Sequence, residues 1–261
     1  MKNFVLLLLL FAPFALVAQD FIVAAGAQRT LTPAERILSL KKFSLGDNAV
    51  IIIPAEMNGW TVTATDASIG NNVKILSASP GGYGGMSGSP AASAPDCRAG
   101  MPGMNATNGA AGAPGKNVSF NLKIRSIGSL AIFVNGGNGG HGGFGGNGGK
   151  GGNATCSCNA GNGGYGGKGG NGGNGGPGGN VSITYSKIGS VTISNSNFIV
   201  QNLGGTAGRG GDGGAGGAGG SGGGCPDSKA LVRPGGTAGA NGPRGSNGIP
   251  GNNGASTISG R

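Results

Sequence analysis

The chain has 261 residues, 64 of them glycine, with 10% charged, 5% aromatic and a net charge of +10. The charges are scattered and aromatics are rare, so no nucleic-acid motif is present, while the positive balance favours anionic partners such as acidic surface glycans. Ordering glycine costs more backbone entropy than ordering any other residue, so tracts this rich are either flexible linkers or are held by close packing.

Residues 1–18, MKNFVLLLLLFAPFALVA, carry Lys2, an apolar run and small residues before Gln19. They read as a secretory signal peptide cleaved after Ala18, too short and too early for a membrane span. Loss of Lys2 from the 18 basic residues leaves 17 against 8 acidic, a net +9. The expected location is secreted or at the extracellular cell surface, with no transmembrane segment.

Residues 19–45 are expected to form an N-terminal segment that caps one end of a core. Within it, Thr32-Pro33-Ala34-Glu35 fits an N-cap, a first-turn proline and a capping-box Glu. The pattern predicts a short helix from Pro33 to Lys42. From Gly46 the pattern turns to β. Strand-like runs are Asp47–Ile53, Trp60–Ala64 and Val73–Leu76, then Asn117–Ile124 and Ile127–Val134, then Asn180–Tyr185, Ile188–Ile193 and Phe198–Val200. Asn-Val-Ser opens the second and third blocks, and Ile-Gly-Ser follows in each, about 63 residues apart. Ser256–Ser259 reads as the first strand of a fourth turn. The fold class is all-β: a short parallel β-solenoid, with a β-sandwich as the alternative. Residues 46–261 form one repeat domain. Its β blocks are 46–79, 117–134, 181–202 and 255–261, and its Gly-rich hairpins are 80–116, 135–180 and 203–254.

Residues 135–180 hold six x-Gly-Gly triplets, a nine-residue connector and six more triplets. The connector is three triplets long, so the frame survives it. A linker has no reason to keep frame; a helix with three residues per turn does. The other two tracts also place a small residue every third position. Three polyglycine-II hairpins are therefore expected to stack as a six-helix bundle at the rung spacing of about 4.8 Å. On that picture the outer layers need one small position per triplet, and the x-Gly-Gly outgoing arm 203–223 is a misfit suggesting that something else packs there.

The triplets N-GG H-GG F-GG N-GG and G-PR G-SN G-IP G-NN resemble those of the polyglycine-II bundle proteins, the springtail antifreeze proteins and the tail-fibre tip adhesins of T-even-like phages. The resemblance covers residues 80–116, 135–180 and 203–254, and concerns a structural principle. It implies a rigid bundle that binds through loops at one end, as in the adhesins, or through a flat face of small residues, as in the antifreeze proteins. Here the outward rows instead carry His141, Phe144, Lys150, Tyr165 and Lys168.

Cys97, Cys156, Cys158 and Cys225 each fall at a hairpin turn, so all four are expected at one distal end. In an exported chain they read as two disulfides, with a four-thiolate zinc site as the rival. Cys-x-Cys rarely permits a direct bridge, so Cys97 is expected to pair with one of Cys156 and Cys158, and Cys225 with the other. The same turns collect Asp96, Arg98, Thr155, Asp227, Lys229, Leu231 and Arg233, the expected contact surface.

No catalytic constellation is visible. His141 is a lone histidine in a Gly row, no two carboxylates suggest an acid/base pair, and Arg209-Gly-Gly-Asp212 supplies too few ligands for calcium. No enzyme activity, cofactor or metal is expected. The expectation is an extracellular structural or adhesive protein. It could assemble head to tail as a fibre, with strand edges as the contact, Ser256–Ser259 at one end and 19–29 at the other. The alternative is a monomeric secreted module binding glycan or ice.

Overall fold

The structure, a computed structural model, describes residues 19–225 and 228–261, without the side chains of 228–231. The signal-peptide reading of 1–18 lies outside the described residues. The strands are β1 (Gln19–Val23), β2 (Gln28–Thr30), β3 (Ile37–Leu45), β4 (Val50–Ile53), β5 (Gly59–Ile69), β6 (Val73–Ser77), β7 (Asn117–Ile127), β8 (Leu130–Phe133), β9 (Val181–Lys187), β10 (Phe198–Gln201), β11 (Gly223–Cys225), β12 (Ser228–Arg233) and β13 (Ser256–Gly260).

Period-two alternation produces these strands. β5 buries Trp60, Val62 and Ala64 and exposes Thr61, Thr63 and Thr65; β7 buries Val118, Phe120, Leu122 and Ile124 and exposes Ser119, Asn121 and Lys123. The strands pair in parallel into a six-stranded sheet ordered β1-β3-β5-β7-β9-β13 and a five-stranded sheet ordered β10-β8-β6-β4-β2. Spatial order follows chain order, so each pass through both sheets adds one rung. Their buried faces meet in one core, with Ile51, Ile53, Ile75 and Ile132 opposite Phe43, Val62, Phe120 and Ile183. Phe21, Phe43, Trp60 and Phe120 stack up successive rungs, with centroids 5.7, 6.0 and 5.2 Å apart. The Arg29 guanidinium lies 4.2 Å over the Phe21 ring and closes this column at the first rung.

Three sequence expectations are corrected. The helix from Pro33 to Lys42 is a single 3-10 turn, Pro33–Arg36, which keeps the Thr32/Glu35 capping box. From Ile37 the chain becomes strand, because Leu40, Phe43 and Leu45 reach the core only in extended form, between β1 and β5. Residues 19–45 are likewise not a separate cap: β1 and β2 form a complete first rung, and the 45/46 boundary falls within the second. Finally, Val191–Ile193 is not a strand. The chain turns at Gly189, where φ is +71°, runs on unpaired with Ile193 still in the core, and resumes pairing only at Phe198 against Leu130.

The Gly-rich hairpins leave after β6, β8 and β10 and return to β7, β9 and β13. Each consists of an outgoing and a return arm, and the three hairpins form three layers. Every arm repeats its bonding every three residues. In the middle layer, Gly136, Gly139, Gly142, Gly145, Gly148 and Gly151 donate to the outgoing arm of the third hairpin at 2.8–2.9 Å. Gly137, Gly140, Gly143, Gly146, Gly149 and Gly152 donate to the return arm of the first at 2.8–3.1 Å. The backbone groups that extended arms cannot pair within themselves are thereby paired between arms.

Glycine is required where a side chain would have to occupy a neighbouring backbone. A Cβ on Gly142 would overlap the carbonyl oxygen of Gly170, and one on Gly170 that of Thr107. The requirement is directional. An outgoing arm turns one row toward its own return arm and a second toward the layer beneath. A return arm turns one row toward the layer above and one toward the layer beneath. The arm 203–223 has both of its neighbours within this chain. Gly210 and Gly213 face the carbonyls of Gly245 and Gly242 in the return arm, and Gly208 and Gly211 face those of Gly140 and Gly143 in the middle layer. Its two glycines per triplet are thus accounted for without another subunit, which corrects the misfit read from sequence. Rows facing no further layer admit side chains: Tyr83, Met86, Met101 and Met104 alternate with small residues such as Ser89 and Ala110 beneath the first hairpin, and Asn241, Arg244, Asn247 and Pro250 stand on the third.

Asparagine fills a second role. In the second and third layers several outward N–H groups have no backbone carbonyl opposite, and an Asn in the layer below supplies an acceptor. Asn138 Oδ1 accepts from Thr206 N–H at 2.9 Å, Asn171 Oδ1 from Ser246 at 2.9 Å and Asn180 Oδ1 from Ala255 at 2.8 Å. His141 takes the place of an Asn in this ladder, with Nδ1 accepting from Arg209 N–H at 2.9 Å.

Candidate functional site

The distal end, away from the sheets, gathers the turns of all three hairpins. The first turns at Cys97, which adopts φ +64° and lets Arg98 N–H reach Pro95 O at 3.1 Å. The second closes with reciprocal bonds between Thr155 and Cys158, N to O, at 3.1 and 3.3 Å. The third ends in the antiparallel pair β11–β12.

Two disulfides tie these turns together. Cys97 bonds Cys158 with Cα atoms 5.8 Å apart, and Cys156 bonds Cys225 with Cα atoms 5.2 Å apart. Both spans suit a disulfide, and the middle turn is stapled to the layer on each side. With all four thiols so engaged, the zinc alternative has no free ligands here.

The expected contact residues divide. Arg98 and Asp96 are exposed at the first turn. Thr155 is half-buried, its hydroxyl 3.4 Å from Cys97 Sγ and 3.1 Å from Cys158 Sγ, so it packs the staples. Arg233 is also half-buried and donates to Cys156 O at 3.0 Å, which makes it a clamp between the third and second turns. Asp227 lies outside the described residues, as do the side chains of Lys229 and Leu231. Of the seven, the structure therefore places Arg98 and Asp96 as presented side chains, with Thr155 and Arg233 supporting them.

Elsewhere, no cluster of three or more metal-ligating side chains occurs among the described residues. Two carboxylates are held below their ordinary range. For Asp66 the bidentate Arg125 guanidinium, at 2.8 and 2.9 Å, is the main cause. For Glu35, burial alone would raise the carboxyl; the Thr32 N–H and hydroxyl and the Arg29 charge together outweigh it. Both serve the sheets and neither lies near the distal end.

Sequence reasoning passed over one cluster. His141, Phe144, Arg209, Asp212 and Arg244 line a notch of about 350 Å³ on the side of the arms. The signal was present in the frame: the middle and third outgoing arms are offset by 68 residues, which sets His141 beside Arg209 and Phe144 beside Asp212.

No protein-family model matches the chain, and no curated protein matches it. Among solved structures it is similar to a springtail antifreeze protein from Granisotoma rainieri, described as a nine polyproline type II helical bundle. The two are 27% identical over 66% of this chain and 95% of that one, with a TM-score of 0.11. At that score the backbones do not superpose, and function is argued from this chain's own geometry.

Proposed function

We propose that this protein is a secreted structural or adhesive element: a parallel β-solenoid carrying a polyglycine-II bundle, whose disulfide-stapled tips contact an anionic glycan surface. Support for the solenoid comes from strand order that tracks chain order in both sheets. Support for the bundle comes from hydrogen bonds repeating every third residue between six arms. The observation that carries the functional reading is the pair of staples. They join three turns into one rigid end that presents Arg98, and loops held by a scaffold are where binding residues concentrate.

The test is retention on a surface coated with an acidic polysaccharide, comparing wild type with Arg98→Glu. Weakened retention with an unchanged melting temperature is expected; undiminished retention would remove the tips as the contact.

Between fibre subunit and monomeric module, the side chains on the outer rows favour the module. Tyr83 is 86% exposed and Met86 72%, and no further glycine layer fits against them or against Arg244. Head-to-tail growth is left with the open edges of β1 and β2 at one end and of β13 and β10 at the other. Sedimentation of the mature chain across a concentration series is expected to give a monomer; a mass rising with concentration would restore the fibre.

A further inference from the structure

We propose that the notch halfway along the arms is a second binding site, for an acidic saccharide. Residues 202–222 and 234–255 contain three charged side chains, Arg209, Asp212 and Arg244. All three lie at this one place, together with the chain's single histidine and an aromatic ring. The five residues come from three different arms, so chain proximity does not explain the gathering. Nor does stability: Phe144 occupies a position where the ladder uses Asn, and it leaves the outward N–H of Asp212 without the side-chain acceptor its neighbours enjoy.

The groups match one ligand chemistry. Phe144 is 61% exposed and offers a flat apolar face to the C–H side of a sugar ring. His141 Nδ1 is occupied by Arg209 N–H at 2.9 Å, so its Nε2–H is the free donor, suited to a hydroxyl. Asp212 is fixed by Arg244, Nε to Oδ1 at 3.2 Å, and accepts a hydroxyl hydrogen. The Arg209 guanidinium has no carboxylate within 4.0 Å among the described residues. It is therefore available to a ligand carboxylate or sulfate, which guanidinium binds in fork geometry. A volume of about 350 Å³ sits at the small end of ligand sites, roughly 300–1,000 Å³, as a mono- or disaccharide unit of a longer chain requires. This site is separate from the tips.

The test is calorimetric titration of the full disulfide-bonded mature chain with three probes: an oligogalacturonate, a heparin-derived disaccharide and a neutral galactose oligomer. The first two separate carboxylate from sulfate as the recognised group. Binding of at least one acidic probe is expected, weakened tenfold or more by Arg209→Ala and by Phe144→Asn, and at least tenfold weaker for the neutral probe. Phe144→Asn installs the residue the ladder uses elsewhere, so it tests the ring without threatening the fold. All titrations use the Arg98→Glu background, which removes the tip contact, and Lys168→Ala, in the return arm of the middle hairpin, is expected to bind as well as that parent. The proposal is overturned if neither acidic probe binds, if the neutral probe binds equally, or if both notch variants keep the parent's affinity. It is also overturned if Lys168→Ala weakens binding as much as Arg209→Ala, which would mark a diffuse charge effect. Failure here leaves the Arg98→Glu retention test standing, so the two readings fall separately.

Discussion

At the scale of single residues, space and outward N–H groups decide which side chain stands where. Gly170 sits where a Cβ would overlap Thr107 O and crowd Gly143 N, and Gly170→Ala is expected to cost about 1–3 kcal/mol through overpacking. The first layer yields more easily. Ala106 stands in an otherwise glycine row, and the adjacent bond from Gly143 to Thr107 lengthens to 3.1 Å beside neighbours of 2.8 and 2.9 Å. Asn171→Ala removes the acceptor for Ser246 N–H and is expected to lose about 0.5–1.5 kcal/mol. His141→Asn, which keeps an acceptor in place, should be close to neutral. Urea unfolding of the three variants checks all of these. Glu35 gives a pH dependence. Its folded-state pKa lies below its ordinary value of 4.5, so its contribution to stability is complete above pH 4.5 and is lost as pH falls through the lowered value. Glu35→Gln should therefore be less stable than wild type at neutral pH, and the gap should close in acid.

At the scale of elements, the hairpins were legible in the sequence because their constraint is local and periodic. A three-residue frame kept through Asn153–Gly161 needs no knowledge of the neighbours. The strands with clean alternation, such as Trp60–Ala64 and Asn117–Ile124, were legible for the same reason. Residues 33–42 were not, because Thr32, Pro33 and Glu35 do start a turn, and only pairing with β1 and β5 makes Ile37–Leu45 a strand. The directional packing of arm 203–223 was hidden too, since it depends on which arm lies on which side. So was the notch, whose parts come from three arms, with Arg209 lying 68 residues from His141 and Arg244 on the following arm. At the tip the sequence located the turns but could not separate presented side chains from supports: Thr155 and Arg233 turn inward onto the staples. Those staples close loops with sequence separations of 61 and 69 residues. Removing one by Cys156→Ser with Cys225→Ser is expected to cost about 2–4 kcal/mol. Amide exchange should then quicken first at Gly148–Gly152, near the tip, while Gly136–Gly140, anchored at β8, stays protected.

At the scale of the whole molecule, the sheets supply an apolar core and a ladder of fixed rungs, and the arms inherit that spacing. The array of arms has little apolar surface of its own to bury. Its order rests on backbone hydrogen bonds, on anchorage at β6 to β10 and on the staples at the far end. A rigid arm is what a tip or notch must have to recognise anything, because side chains on a mobile glycine tract would lose binding free energy to ordering. Binding as proposed at either place therefore depends on the arms forming one body in solution. Through-hydrogen-bond scalar couplings measured by NMR test this most directly. Couplings are expected from Gly170 N to the carbonyl carbon of Gly143 and from Gly142 N to that of Arg209, across bonds of 2.9 and 2.8 Å. Random-coil glycine shifts without these couplings would contradict it.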